Sequence, residues 1–272
     1  MMPTVAAAVT ERMRQAWEAT EYNAIATREV LVSELLAREV DVRCGERVLD
    51  VASGTGNTAL AVARRGGRVT ASDFSAAQLR IASERAAVEG LELEVEVADA
   101  QSLPFPDDSF DVVLSTFGVM YAPDQQRAAD ELTRVCRPGG RIGLVSWVPD
   151  GRAGRVQALV AARLPAPPHA GPPPPAPTLW GTEEHCRALF GTRVSGLRST
   201  VHTHEFCAAS AEAYASLLHR HLPWRVLFAA LEPAELRELL TAVAAEWEGC
   251  NRATDGTFVG CIPYLQLVAT AG

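Results

Sequence analysis

Between residues 47 and 147 the chain alternates short apolar runs with longer stretches at helical spacing. The runs at 47–52, 68–72, 92–98, 111–115 and 141–147 are four to eight residues long and predict strands. The stretches at 58–65, 75–89 and 125–135 predict helices, with Gly90 as a stop and Pro138-Gly139-Gly140 as a turn. Strands that alternate with helices imply right-handed crossovers and a parallel sheet. Two helices, 5–20 and 24–39, precede this region, the second with Ile25, Val30, Leu31, Leu35 and Leu36 on one face. The pattern breaks at 149–180, where LPAPPHAGPPPPAPTLW holds eight of the seventeen prolines and excludes a packed helix or central strand. That stretch reads as an inter-domain linker or as a loop over the sheet edge. Helices follow at 182–190 and 211–230, and a third from Pro233 to Trp247. The runs 194–206 and 262–269 read as two late strands that flank a helical insertion.

Composition narrows the class. The chain has 272 residues, 48% of them hydrophobic and 21% charged, with a formal net charge of −8. It is long enough for a substantial core. An acidic chain without a basic cluster is poorly suited to gripping phosphate backbones, so no nucleic-acid partner is expected. No apolar run reaches the length of a membrane span, and the start MMPTVAAAVTERMRQAW lacks the layout of a secretory signal. Six cysteines, scattered without C-x-x-C pairs, point away from a zinc site and a disulfide framework. A cytoplasmic protein is the expectation.

The chemistry concentrates in VLDVASGTGNTAL, residues 48–60. A buried strand runs through Gly54-Thr55-Gly56 directly into a helix, where glycine admits a ligand to the backbone and the helix N-terminus offers free N–H donors. Gly54-x-Gly56-x-x-Ala59 also satisfies a loose dinucleotide fingerprint, so a hydride-transfer enzyme competes with other cofactor chemistries. Three acids decide between them. Asp50 lies inside the first strand, Asp73 ends the second, where a carboxylate can accept both ribose hydroxyls, and Asp99-Ala100 ends the third, where an acid can accept an adenine amino group. Three acids at three successive strand ends fall on the edge where such sheets bind ligands.

DVASGTG, SDFS, ADAQSLPFPDDSFDVVLSTFGVMYAPD and ELTRVCRPGGRIGLVSW resemble the class I S-adenosylmethionine-dependent methyltransferases, especially the branch near quinone-biosynthesis and natural-product enzymes. The resemblance covers residues 45–148. It implies an α/β fold with a doubly wound, mostly parallel seven-stranded sheet, an antiparallel last strand and a helical lid insertion. It also implies S-adenosyl-L-methionine as cofactor. The acid-glycine pattern maps onto Asp50, Ala52, Gly54 and Gly56, with Ala52 in place of a glycine, so negative φ is expected at Ala52. The cofactor-binding set is Tyr22, Asp50, Ala52, Ser53, Gly54, Gly56, Asp73, Phe74, Gln78, Asp99, Ala100, Thr116 and Phe117. Tyr22 sits where related enzymes close an N-terminal helix over the cofactor.

Methyl transfer from a sulfonium relies on positioning and on an aromatic, poorly hydrated pocket, for which Trp17, Tyr22, Phe74, Phe117 and Tyr121 are available. Candidates for proton handling are His219, His221 and Tyr121. His202-x-His204 has a spacing that can bind metal, but without a third ligand the rings read as packed, and no metal is expected. The division is N-terminal helices at 1–44 over the cofactor, a cofactor-binding core at 45–150, and an acceptor-side lid with the last two strands at 151–272, integrated as one domain. Residues 205–250 are expected to close over an apolar acceptor pocket, with the proline-rich stretch 163–179 as a flap. The function implied is methylation of a small, fairly apolar metabolite on oxygen, nitrogen or carbon by a monomer or homodimer. A dinucleotide-dependent oxidoreductase and a non-catalytic cofactor binder are the alternatives.

Overall fold

The apolar runs become β1 (Arg47–Val51), β2 (Arg68–Asp73), β3 (Glu94–Val97), β4 (Phe110–Thr116), β5 (Cys136–Trp147), β6 (Val194–Ala208) and β7 (Phe258–Ala271) in a computed structural model that describes residues 5–163 and 174–272. They form one seven-stranded sheet in the order β3-β2-β1-β4-β5-β7-β6. Strands β1 to β5 pair in parallel, whereas β7 runs antiparallel to both β5 and β6. The central strands are apolar throughout because helices cover both faces; Val48, Leu49, Val112, Val113 and Leu114 have no exposed surface. The edge strand β3 is instead exposed along its whole length, and Glu94 and Glu96 keep that edge from pairing with another chain.

The helices are α1 (Val5–Glu18), α2 (Asn23–Ala26), α3 (Val30–Glu39), α4 (Asn57–Arg64), α5 (Ala76–Glu89), α6 (Gln125–Val135), α7 (Arg152–Ala161), α8 (Glu183–Phe190), α9 (Ala211–His221), α10 (Trp224–Leu227) and α11 (Pro233–Glu248). The last three form the helical insertion between β6 and β7.

Four local differences from the sequence reading have physical causes. The expected helix 24–39 is broken at 27–29, because the Asn57 amide donates to the Ala26 carbonyl at 2.7 Å and the chain restarts at Glu29 with φ −103°. The break leaves the helical spacing in place: Ile25, Ala26, Glu29, Val32, Ser33, Leu36 and Ala37 are buried on one face, while Leu31, about 120° round the axis from Ile25, is 63% exposed. The expected helix 211–230 ends at His221, since Pro223 lacks an N–H and holds Leu222 extended at ψ 166°. The stretch 149–180 contains α7, and the expected turn Pro138-Gly139-Gly140 is absorbed into β5 as a bulge opposite Phe110 and Val112. The proline-rich flap falls largely at 164–173, outside the described residues.

The exit from β1 is strained. Ala52 adopts φ +51°, contrary to the negative value expected of an alanine in the family's glycine position. The turn is held there by close packing of two strand exits: a Cβ on Gly118, after β4, would lie 2.2 Å from the Ala52 carbonyl oxygen. Gly56 has φ +85°, and a Cβ there would lie 2.7 Å from the Ala82 Cβ on α5. A left-handed alanine costs about 1–2 kcal/mol, and glycine gives back roughly half of the relief through chain entropy. Ala52→Gly is therefore expected to stabilise the protein by about 0.5–1 kcal/mol, read as a rise of about 2 °C in the midpoint of thermal unfolding. A lowered midpoint would show that the Ala52 methyl contributes more packing than the strain costs.

Candidate functional site

The carboxyl ends of β1, β2 and β4 open into a cavity of about 570 Å³. Its floor is built by the sharp passage from β1 into α4. Gly56 at the helix N-cap has no side chain to satisfy the first turn, and Asp50 performs that task from the strand: its Oδ2 accepts the Ala59 N–H at 2.9 Å. Asp50 Oδ1 is buried without a partner, and burial holds this carboxyl well above the ordinary carboxylate range despite the Ala59 bond. Asp73, 6% exposed, bridges two backbone groups: Gly54 N–H at 2.9 Å and Ser75 N–H at 2.9 Å. Burial pushes Asp73 up to about 6, the two N–H donors oppose this, and nearby Glu18 adds to the rise.

The N-terminal segment forms the roof. Glu18 accepts from the Ser75 hydroxyl at 2.6 Å and from the Ala77 N–H at 3.2 Å, so it caps α5 from outside. Gln78 donates to the carbonyls of Trp17 and Thr20, at 3.0 and 2.8 Å, and ties the end of α1 down. Tyr22 thereby lies over Gly54: its ring carbons are 3.8 Å from where a Gly54 Cβ would be. Trp17 packs edge-on against Tyr22, with centroids 5.2 Å apart. The Tyr22 hydroxyl donates to Glu29 Oε2 at 2.7 Å. Glu29, 6% exposed, lines the cavity, and burial pushes it up to about 7 against the Tyr22 hydrogen bond.

The far wall is apolar and aromatic. Phe117, left-handed at φ +57°, stacks on Trp147 at 3.7 Å and 10°. Tyr214 and Leu218 of α9, Leu222, Trp224 of α10 and Trp247 of α11 face the same space. So do Val156 and Gln157 of α7, the latter donating to the Tyr121 hydroxyl at 3.2 Å. Pro174, Pro175 and Pro177, the described end of the proline-rich stretch, also line it, and Gln125 donates to the Ala176 carbonyl at 3.1 Å.

Of the residues singled out in the sequence, Tyr22, Asp50, Ala52, Ser53, Gly54, Asp73, Phe74, Gln78, Thr116, Phe117 and Tyr121 line this one cavity. Gly56 lies behind it and shapes the turn. Asp99 and Ala100 stand outside the lining. The Asp99 carboxylate is engaged by the Gln101 amide, 3.0 Å from each oxygen, and Gln101 in turn reaches Thr10 of α1. His219 and His221 also stand outside. Their helix turns Tyr214 and Leu218 inward; His219 lies about 100° or more round the axis from both, whereas His221 shares their face but sits at the last turn, beside the N-terminal segment. His219 is half-buried, its basicity lowered by burial and by Arg225, while His221 Nδ1 lies 3.0 Å from the Glu21 carbonyl. His202 stacks on Tyr264 and His204 edges Phe206. Among the described residues no group of three or more His, Cys, Asp or Glu is placed to hold a metal.

Glu29 is absent from the sequence-predicted set, although an unbroken helix over 24–39 already places it on the face of Ile25 and Leu36. The available signal was its position four residues after Ile25, an acid at i+4 on the apolar face.

The lining fits S-adenosylmethionine. Asp50 Oδ1, Ser53 Oγ, Asn57 Oδ1 and Gln78 Oε1 are buried acceptors in the cavity wall that have no protein partner. Such groups are costly unless a ligand satisfies them.

Comparisons agree with this chemistry. Residues 48–140 match the family model of a methyltransferase domain. An uncharacterised protein of Mycobacterium tuberculosis is 44% identical over 188 residues, which span 68% of this chain and 67% of the relative. A demethylmenaquinone methyltransferase of Clavibacter sepedonicus is 45% identical over 105 residues, 39% of this chain and 42% of that enzyme. Among solved structures, YcgJ of Bacillus subtilis superposes with a TM-score of 0.61 at 21% identity, covering 88% of this chain and 98% of its own. Geranyl diphosphate C-methyltransferase of Streptomyces coelicolor, crystallised with S-adenosyl-L-homocysteine, superposes at 0.54 and 18% identity, covering 90% and 79%. With its strand order, its glycine turn, its match to the methyltransferase-domain family and its similarity to a demethylmenaquinone methyltransferase, the chain belongs to the class I S-adenosylmethionine-dependent methyltransferases.

Proposed function

We propose that the chain methylates a small, fairly apolar metabolite, with the cofactor on the β1–β2–β4 edge and the acceptor beneath α9 and α10. One observation carries this reading: a single cavity joins the polar strand ends to a chamber walled by Phe117, Trp147, Tyr214, Trp224 and Trp247. The cofactor supplies an electrophilic methyl group on a positively charged sulfur. In the proposed arrangement Asp73 accepts the ribose hydroxyls with the lone pairs that Gly54 and Ser75 leave free. Asp50, Ser53 and Gly54 receive the methionine end, and Tyr22 and Trp17 close over it. Aromatic faces near the sulfonium favour the cation without supplying a competing nucleophile. The helices above the acceptor exclude water, so that two reactants held in line need little further assistance. Asp99, Ala100, His219 and His221 are left out of the proposed set. The segments 1–44, 45–150 and 151–272 act as one unit in this scheme, since each contributes a wall of the cavity. No described helix is long and apolar enough to cross a membrane.

A labelled-methyl assay against small metabolites, read by mass spectrometry, tests the proposal directly. Methylation confined to macromolecules would refute it.

Two further outcomes follow. Asp73→Ala is expected to weaken S-adenosylhomocysteine binding at least about 100-fold, since two charge-assisted bonds of about 1.5–3 kcal/mol each are lost. In the wild type, affinity should fall as the pH drops through about 6, because protonation removes the charge from the Asp73 acceptor. Calorimetry across pH reads both, and a pH-independent affinity would place the ribose elsewhere. Trp224→Ala, in contrast, is expected to raise KM for the acceptor by about tenfold or more while leaving cofactor affinity within twofold. Equal losses of both would show that α10 shapes the cofactor site and not an acceptor chamber.

A further inference from the structure

The cavity has an asymmetry of charge. Its described lining contains Asp50, Asp73 and Glu29 but no Lys, Arg or His. Asp50 is spent on α4 and Asp73 on the β1 and β2 exits, whereas Glu29 makes no bond to the sheet. It stands where the helical path is broken, one tyrosine ring away from Gly54. Its Oε2 takes the Tyr22 hydroxyl, and Oε1 accepts no side-chain hydrogen bond among the described residues.

We propose that Glu29 is the general base of this enzyme and that its acceptor is an uncharged molecule methylated on a weakly acidic hydroxyl, a phenol or an enol. The inference rests on the reading of the cavity as a small-molecule methylation site. An anionic acceptor, such as a carboxylate or phosphate, would enter an apolar chamber already holding a carboxylate and find no cation to offset it among the described residues. An amine would meet Glu29 as an ammonium, with its lone pair blocked by the proton. A neutral hydroxyl meets neither obstacle. As the acceptor oxygen bonds to the methyl carbon, the carbon–sulfur bond breaks and its electron pair stays on sulfur. The hydroxyl proton passes to Glu29 Oε1, so charge is conserved: a sulfonium and a carboxylate become a thioether and a carboxylic acid.

The surroundings support a base and not merely an anchor. Tyr22, Tyr121 of the turn after β4 and Tyr214 of α9 are the titratable groups that face Glu29 from the elements packed on it. Burial and the Glu29 charge hold all three phenols above their ordinary value, so they keep their own protons, and Tyr22 donates its own to the carboxylate. Arg28 is adjacent in the chain, and His204 of β6 is hydrogen-bonded to the Arg28 backbone. A carboxyl raised to about 7 is matched to proton removal near neutral pH, and the positive sulfonium of the bound cofactor favours its ionised form.

The test uses the full chain and does not require the acceptor to be identified first. In the cofactor-free protein, carbon NMR of carboxyl-labelled glutamate, compared with Glu29→Gln, should show one carboxyl titrating near 7. A panel of simple phenols, naphthols and enols is then assayed by labelled-methyl transfer beside the matching benzylamines and benzoates. The hydroxyl compounds should be the methylated ones, with kcat/KM rising with pH along a limb near 7. Glu29→Gln should remove that limb and lower kcat roughly 100-fold or more. S-adenosylhomocysteine affinity should stay within twofold and thermal stability at pH 8 should not fall, because a buried charge is removed while Tyr22 keeps an acceptor. Glu29→Asp, carrying a shorter carboxylate, should restore part of the rate. Preferred methylation of benzoates or benzylamines, no methylated hydroxyl compound, a full rate in Glu29→Gln, or a parallel loss of cofactor affinity would each overturn the proposal. A small apolar acceptor methylated at full rate by Glu29→Gln would leave the functional reading standing and remove only the base. Methylation confined to macromolecules would remove both.

Discussion

Asp73 accepts one N–H from Gly54, just past β1, and another from Ser75, at the start of α5, and this pair of hydrogen bonds sets the spacing of two strand ends. The rest of the site is assembled on it. Gly54 held by Asp73 leaves Gly56 to cap α4, and Asp50 completes the cap from inside the sheet. Ser75 held by Asp73 presents its hydroxyl to Glu18, which brings the end of α1 over the strand edge. Gln78, one turn further along α5, adds two bonds to the same segment and fixes Tyr22 above Gly54. A ligand on this edge therefore touches a floor and a roof that share one carboxylate.

The same chain of contacts explains why the cavity tolerates so much buried acid. A carboxylate removed from water is expensive unless it is hydrogen-bonded. Asp50 and Asp73 meet backbone N–H groups at helix starts, where the dipole favours negative charge. Burial nonetheless raises all three, Asp50 well above the ordinary range, Asp73 to about 6 and Glu29 to about 7. Glu29 differs in its partner, a phenol in place of backbone N–H groups. The left-handed Ala52 and Phe117 are a further cost of the geometry, since both lie at strand exits that turn sharply out of the sheet.

The far wall of the cavity obeys different physics. Here α7, α9, α10 and α11 contribute mainly aromatic and aliphatic surface, and the described lining holds no Lys, Arg or His. The break at Pro223 is what turns Trp224 into the cavity: a continuous helix over 211–230 would have carried Trp224 around the axis, away from Tyr214 and Leu218.

The strands, their parallel order, the glycine turn and Asp73 were all legible in the order of residues. Each is encoded locally, in a period of two or 3.6 residues or in a few neighbours whose chemistry permits one geometry. Tyr22 over the cofactor edge was also legible, because a resemblance carried it. Other features arose only where distant segments met. Asn57 takes the Ala26 carbonyl, 31 residues away in the chain, at the break between α2 and α3. Ala52 sits at positive φ where two strand exits meet, so close that a Cβ on Gly118 would lie 2.2 Å from the Ala52 carbonyl oxygen. Gln101 takes up Asp99, α9 turns His219 away from the pocket, and His221 at the end of that helix meets the Glu21 carbonyl. No local pattern reports such outcomes, because side-chain direction at a helix break or a strand exit is set by non-local packing and hydrogen bonding, which outweigh the small energies of local propensity.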